Sequence, residues 1–135
     1  MKTRAGRLMD VVAAQRSADQ GRLSACLAKQ RSLKEAAVAH FDAVRGVPPG
    51  KDAADMIIAT SWQEHQRALG STALAKAGEM DAQIRELRSK LARSLGREQA
   101  VIALDASERA MILRQTERRL EDTILAGCPD ILRSR

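Results

Sequence analysis

The chain has 135 residues, 23 Lys+Arg against 17 Asp+Glu for a formal net charge of +6, and one Trp, one Phe and no Tyr. At this length one ordinary domain is the ceiling, and only 28 residues are Leu, Ile, Val or Phe, so a compact globular core would be thin. A helical assembly with a narrow apolar seam needs fewer large side chains, and the Ala, Arg, Leu and Glu bias fits long helices. No apolar run approaches the ~18 residues of a membrane span, and the basic start "MKTRAGR" leads into "LMDVVAAQ", too short and polar for a signal segment. Cytoplasmic localisation without direct membrane insertion is the expectation.

The first element spans 4–45. Met9, Val12, Leu23, Cys26, Leu33, Ala37 and Val44 recur at three- and four-residue steps, with Leu27 and Phe41 widening the stripe. Arg16, Asp19, Gln30 and His40 fall on the same seam. This half is basic: residues 1–50 carry nine Lys/Arg against four Asp/Glu, whereas 101–135 balance six against six. Such an excess suits an acidic or phosphate-bearing partner, or a solvated face.

"VRGVPPGKDAADM" then punctuates the chain. Gly46 suits a left-handed position after a helix, and Pro48-Pro49 cannot continue one. Gly50 permits a turn, Asp52 can cap the next helix and Asp55 adds a carboxylate to its first turn. A turn over 46–53 is followed by a second helix over 54–126 and a short C-terminal tail, 127–135, with Gly127 and Pro129 as the stop signal.

The second apolar stripe runs Trp62, Leu69, Ala73, Ala77, Met80, Ile84, Leu87, Leu91, Leu95, Ile102, Leu113, Leu120 and Ile124. Its step lies nearer an eleven-residue repeat than a strict heptad, which predicts little left-handed supercoil. Gly70, Gly78 and Gly96 interrupt it, each costing up to ~1 kcal/mol relative to Ala.

The fold class predicted is all-α: one antiparallel two-helix coiled-coil hairpin with a longer, overhanging second helix. With the turn near residue 51, facing residues carry numbers summing to about 103. Phe41 and Trp62 then face each other below the turn as a structural pair. Residues beyond about 98 lack a partner in the chain, and an exposed apolar stripe there marks a binding surface.

Chemistry-bearing patterns are few. There is no phosphate loop, dinucleotide fingerprint or nucleophile elbow. His40 and His65 fall near each other by the same sum, with Asp42 and Glu64 close by, but fixed ligand geometry is missing. Cys26 and Cys128 have no CxxC spacing, and the hairpin sets them far apart. Arg85, Arg88, Lys90, Arg93 and Arg97 scatter beyond one face with Glu86 and Glu98 between them, and stacking aromatics are lacking, so nucleic acid is not expected. No enzyme, cofactor or metal is expected.

A basic first helix, a Pro/Gly turn, "WQEHQRAL" early in the second helix and the tail "SLGREQAVIALDASERAMIL" together resemble the FliJ/YscO family, the coiled-coil stalk proteins of flagellar and virulence type III export. The match covers nearly the whole chain in architecture and centres on Trp62, Gln66 and Leu69 and on the Arg/Glu-rich 95–109 stretch. The resemblance implies a non-enzymatic stalk whose open end sits in a hexameric export ATPase. Met9, Val12 and Arg16 would then line the ring contact with Ile102, Arg109, Leu113, Leu120 and Ile124. Trp62, Gln66 and Leu69 would meet the cytoplasmic domain of the export gate, or export chaperones. Two other readings stand beside it: a coiled-coil homodimer or scaffold whose overhangs pair, and a basic nucleic-acid binder.

Overall fold

The structure, a computed structural model, describes residues 3–127. Two long helices, α1 (Arg4–Arg45) and α2 (Ala53–Gly127), pack against each other, and the described residues contain no strand. The fold is the all-α hairpin expected. The chain divides into two compact units: a terminal unit of Met1–Ser17 with Arg93–Arg135, and a turn unit of Ala18–Ala92. Cys128 and the tail beyond it lie outside the described residues.

Local chemistry explains the helix ends. Thr3 caps α1, its hydroxyl accepting from the Gly6 N–H at 2.8 Å, which satisfies one of the orphan amides of the first turn. Asp52 does the same for α2, its carboxylate accepting from the Asp55 N–H at 2.7 Å. The connection uses Gly50 for close approach, since a Cβ there would lie 2.7 Å from the Met56 nitrogen. Gly46 does not take the left-handed conformation expected of it. No described glycine has a positive φ, because the Gly46 N–H still bonds to the Asp42 carbonyl at 3.2 Å and the chain departs through the prolines.

In the turn unit the buried and half-buried side chains of α1 are Asp19, Leu23, Cys26, Gln30, Leu33, Ala37, His40 and Val44, with Leu27 and Phe41 flanking them. They meet Ala59, Gln63, Gln66, Gly70, Ala73, Ala77, Met80, Ile84, Leu87 and Leu91 of α2. Apart from the flanking Leu27 and Phe41, the steps alternate three and four, a heptad pattern. The terminal unit keeps that alternation, with Ala5, Met9, Val12 and Arg16 on α1 and Ser94, Glu98, Val101, Asp105 and Glu108 on α2. The eleven-residue period read from α2 is thus a correction. It follows the large aliphatic residues, whereas burial follows a 3.5-residue seam that runs on through polar ones.

The core is correspondingly slight. Among the described residues its buried apolar members are Ala5, Cys26, Ala37, Ala77 and Ile84, and no large side chain is fully buried. Small seam residues let two helices approach closely but remove little apolar area from water. Polar seam residues take over part of the pairing. The Gln30 amide donates to the Ala77 carbonyl at 2.9 Å and to Asp81 at 2.6 Å. His40 Nδ1 lies 2.6 Å from Gln66 Oε1, so it engages Gln66 and not His65, which is exposed.

These bonds correct the register. His40 with Gln66, Gln30 with Ala77 and Asp81, and Arg16 with Glu98 give sums between 106 and 114, not about 103. The displacement has a steric cause at Gly70. The far end of the Phe41 ring abuts it, with Cζ, Cε1 and Cε2 falling 2.9–3.1 Å from where a Cβ would stand. Gly70 is eight residues beyond Trp62, about 12 Å along the helix, and side chains on α2 lean back toward its N-terminus. The expected Phe41–Trp62 pair is therefore replaced by Phe41 on Gly70. α2 passes unbroken through Gly70, Gly78 and Gly96.

Candidate partner-binding surfaces

In the terminal unit, carboxylates of α2 hold the first turns of α1. Asp105 accepts from the Thr3 hydroxyl and, at 3.0 Å, from Arg109 Nε. The Ala5 N–H donates to Glu108 at 3.3 Å. Negative charge beside a helix N-terminus is favourable because the unpaired amides there carry partial positive charge. The Thr3 hydroxyl holds the Asp105 carboxyl below its ordinary range; Arg109 acts in the same direction and burial opposes both. Further along, Arg16 Nε donates to Glu98 Oε2 at 2.8 Å.

The expected ring-contact residues thus fall into two groups. Met9 and Val12 are half-buried in the seam and Arg16 is bonded to Glu98, so α2 already occupies these α1 side chains. Ile102, Leu113, Leu120 and Ile124 are instead exposed, between 46% and 64%. Arg109 stands beside them with most of its side chain in solvent.

The uncovered part of α2 is shorter than expected. Residues 99–108 still have α1 opposite them, as the bonds of Asp105 and Glu108 show. Every residue from 109 to 127 is exposed. The stretch begins about ten residues later than 98 because the register sum is larger. It carries Met111, Ile112 and Leu125 as well as the three residues the stripe picked out.

In the turn unit, Trp62 is 40% and Leu69 38% exposed. Each sits one position before a seam residue, Gln63 and Gly70, and so on the shoulder of the seam. Gln66 is half-buried against His40, which leaves it little to offer a partner. Sequence reasoning missed Met56, Ile57 and Ile58, three consecutive side chains at 58–68% exposure in the first two turns of α2. Their signal was legible: three large apolar residues in a row cannot all face one neighbouring helix. Beside them Val47, Pro48, Pro49, Met56 and Gln63 line a shallow groove of about 340 Å³.

Among the described residues no cluster of His, Cys, Asp and Glu could hold a metal ion, and no helix is long and apolar enough to cross a membrane. Comparison with family models, with curated proteins and with solved structures finds no match to this chain.

Proposed function

We propose that this chain is a non-enzymatic stalk and adaptor of a type III protein export apparatus, flagellar or virulence-associated. It works in the cytoplasm at the periphery of the membrane machinery. One observation carries the reading. α2 continues as helix from 109 to 127 with no α1 beside it, yet keeps Leu113, Leu120 and Ile124 in solvent. A helix that exposes a row of large aliphatic residues is a binding element, because a free surface of that kind is costly and prone to association.

In this reading the uncovered end of α2 enters the hexameric export ATPase and helps assemble or activate it. Residues Ile102, Arg109, Leu113, Leu120 and Ile124 supply the contact; Met9, Val12 and Arg16 support it from the seam. Trp62 and Leu69, with Ile57 and Ile58 nearby, face the export gate or export chaperones, since aromatic anchors dominate interface energetics. The resemblance to the FliJ/YscO family names these partners, and the unequal hairpin is what supports carrying them over.

The test is co-purification with the cognate export ATPase and stimulation of its turnover. Truncation after Glu108 should leave the paired residues of the hairpin intact and abolish both effects. Undiminished binding by the truncated chain would refute the assignment of the α2 end. Failure of the full chain to bind or stimulate the ATPase would refute the function.

A further inference from the structure

We propose that the exposed stripe of α2 is its own complement, and that two copies of the chain pair antiparallel through it with the two-fold axis at Leu113. The pairing itself does not depend on the export reading; its consequence for ring binding does.

At 100° per residue, Ile102, Ala106, Leu113, Leu120 and Ile124 lie within about 20° of one line along α2. That line runs about 100° around the helix from the face that meets α1, so α1 does not obstruct it. The stripe is symmetric in spacing about Leu113 and antisymmetric in charge. Ile102 and Ile124 stand eleven residues either side of Leu113, Ala106 and Leu120 seven, Arg109 and Glu117 four.

An antiparallel pair centred on Leu113 therefore sets Ile102 against Ile124 of the second copy. It sets Ala106, small, against Leu120, large, and Leu113 against its own equivalent. It also sets Arg109 opposite Glu117, and does so twice by symmetry. Parallel in-register pairing would put Arg109 on Arg109 and Glu117 on Glu117. Charge thus selects the antiparallel arrangement.

The flanks suit a dry contact. Thr116 and Thr123 turn their hydroxyls back onto the Ile112 and Arg119 carbonyls at 2.9 and 2.8 Å, leaving methyl groups outward. Arg109 binds Asp105 through Nε, so its two terminal nitrogens remain for the carboxylate of the second copy. Each chain contributes four large aliphatic side chains and the stems of Arg109 and Glu117. The buried area is on the order of 1,000 Å² in total, at the low end for specific interfaces. A reversible dimer in the micromolar range follows. On the export reading, the second copy and the ATPase ring compete for one stripe, so the free chain is a self-masked store of the stalk.

Sedimentation equilibrium of the full chain between about 1 and 500 μM tests the idea. The apparent mass should rise from 14.7 kDa toward 29.4 kDa, twice that value. Leu113→Glu should weaken association at least about a hundredfold, since it buries two carboxylates at the axis, while circular dichroism stays unchanged. Glu117→Arg should weaken it about tenfold and the double variant Arg109→Glu/Glu117→Arg should restore it. A chain that stays monomeric throughout overturns the proposal, as does a dimer indifferent to Leu113→Glu. A dimer indifferent to Glu117→Arg overturns the antiparallel arrangement. A monomer that still binds the ATPase through this stripe would overturn self-pairing alone and leave the proposed function standing.

Discussion

Gly70 makes the sharpest test of the packing. Replacing a helical glycine by alanine ordinarily stabilises by roughly 0.5–1 kcal/mol, because the unfolded chain loses freedom it would otherwise have to give up. At Gly78 and Gly96 an added Cβ meets nothing within 4 Å, so Gly78→Ala and Gly96→Ala should each gain about that amount. At Gly70 the new methyl would lie 2.9, 3.0 and 3.1 Å from Phe41 Cζ, Cε1 and Cε2. Overpacking of this kind costs about 1–3 kcal/mol, enough to cancel the gain or exceed it. To make room the half-buried ring must shift by several tenths of an ångström against its neighbours, and its stiff aromatic frame leaves few ways to do so. Gly70→Ala should therefore lose up to about 2 kcal/mol where its two neighbours gain. In a Phe41→Ala background the same change should become stabilising by about 1 kcal/mol, as the obstruction is gone. Urea melts followed by circular dichroism read all four values. Equal stabilisation by Gly70→Ala and Gly78→Ala would refute the Phe41–Gly70 contact and the register built on it.

Trp62→Ala should change stability by less than about 1 kcal/mol, and the indole should be readily quenched by acrylamide, because the side chain is a shoulder residue and not a plug. A loss above about 2 kcal/mol would mean that the ring is buried. Arg16→Leu alone should destabilise the terminal unit by about 1–2 kcal/mol by leaving Glu98 without its partner, while Arg16→Leu/Glu98→Leu should recover the loss or better; chemical melts of the two variants decide. Asp105 has a folded-state pKa below its unfolded value of 3.8, so its contribution is fully present above about pH 4 and disappears as pH falls through the lower folded value. Amide exchange at the start of α1 should accelerate in that acid window, and Asp105→Asn should remove the step.

The fold was largely legible, and so were the helix bounds, because Asp52, Pro48-Pro49 and the alternating apolar residues of 9–44 are strong local signals. The seam of α2 does not follow its largest side chains throughout. Through 73–91 the two coincide, at Ala73, Ala77, Met80, Ile84, Leu87 and Leu91. Beyond those limits an eleven-residue stripe drifts off a seven-residue seam, and Trp62, Leu69, Leu95 and Ile102 emerge onto the surface while Gln63, Gly70, Ser94 and Val101 turn inward. The register could not be read for a related reason. It is set by pairs such as Gln30 with Ala77, Arg16 with Glu98 and Phe41 with Gly70, whose partners lie tens of residues apart and carry no periodic mark. For the binding surfaces, the exposed α2 end was legible as an overhang, but its starting point inherited the register error. The exposed Met56-Ile57-Ile58 run carries no period, so it stands outside the stripe that periodicity traces.

A heptad seam has a built-in ambiguity. Sliding α1 along α2 by seven residues returns every inward position to an inward position, so periodicity alone permits several alignments of nearly equal burial. Here the alternatives are distinguishable only by single residues. One step either way would press Phe41 onto Gln63 or Ala77, deprive His40 of Gln66 and leave an alanine, Ala59 or Ala73, in its place. One direction also strands Arg16 against Leu91. The sparse, polar and slightly irregular character of this seam thus acts as addressing: a larger and more uniform apolar core would bind more strongly and state less clearly where each helix begins. Phe41 and His40 carry that address within the turn unit, and Arg16 carries it within the terminal unit.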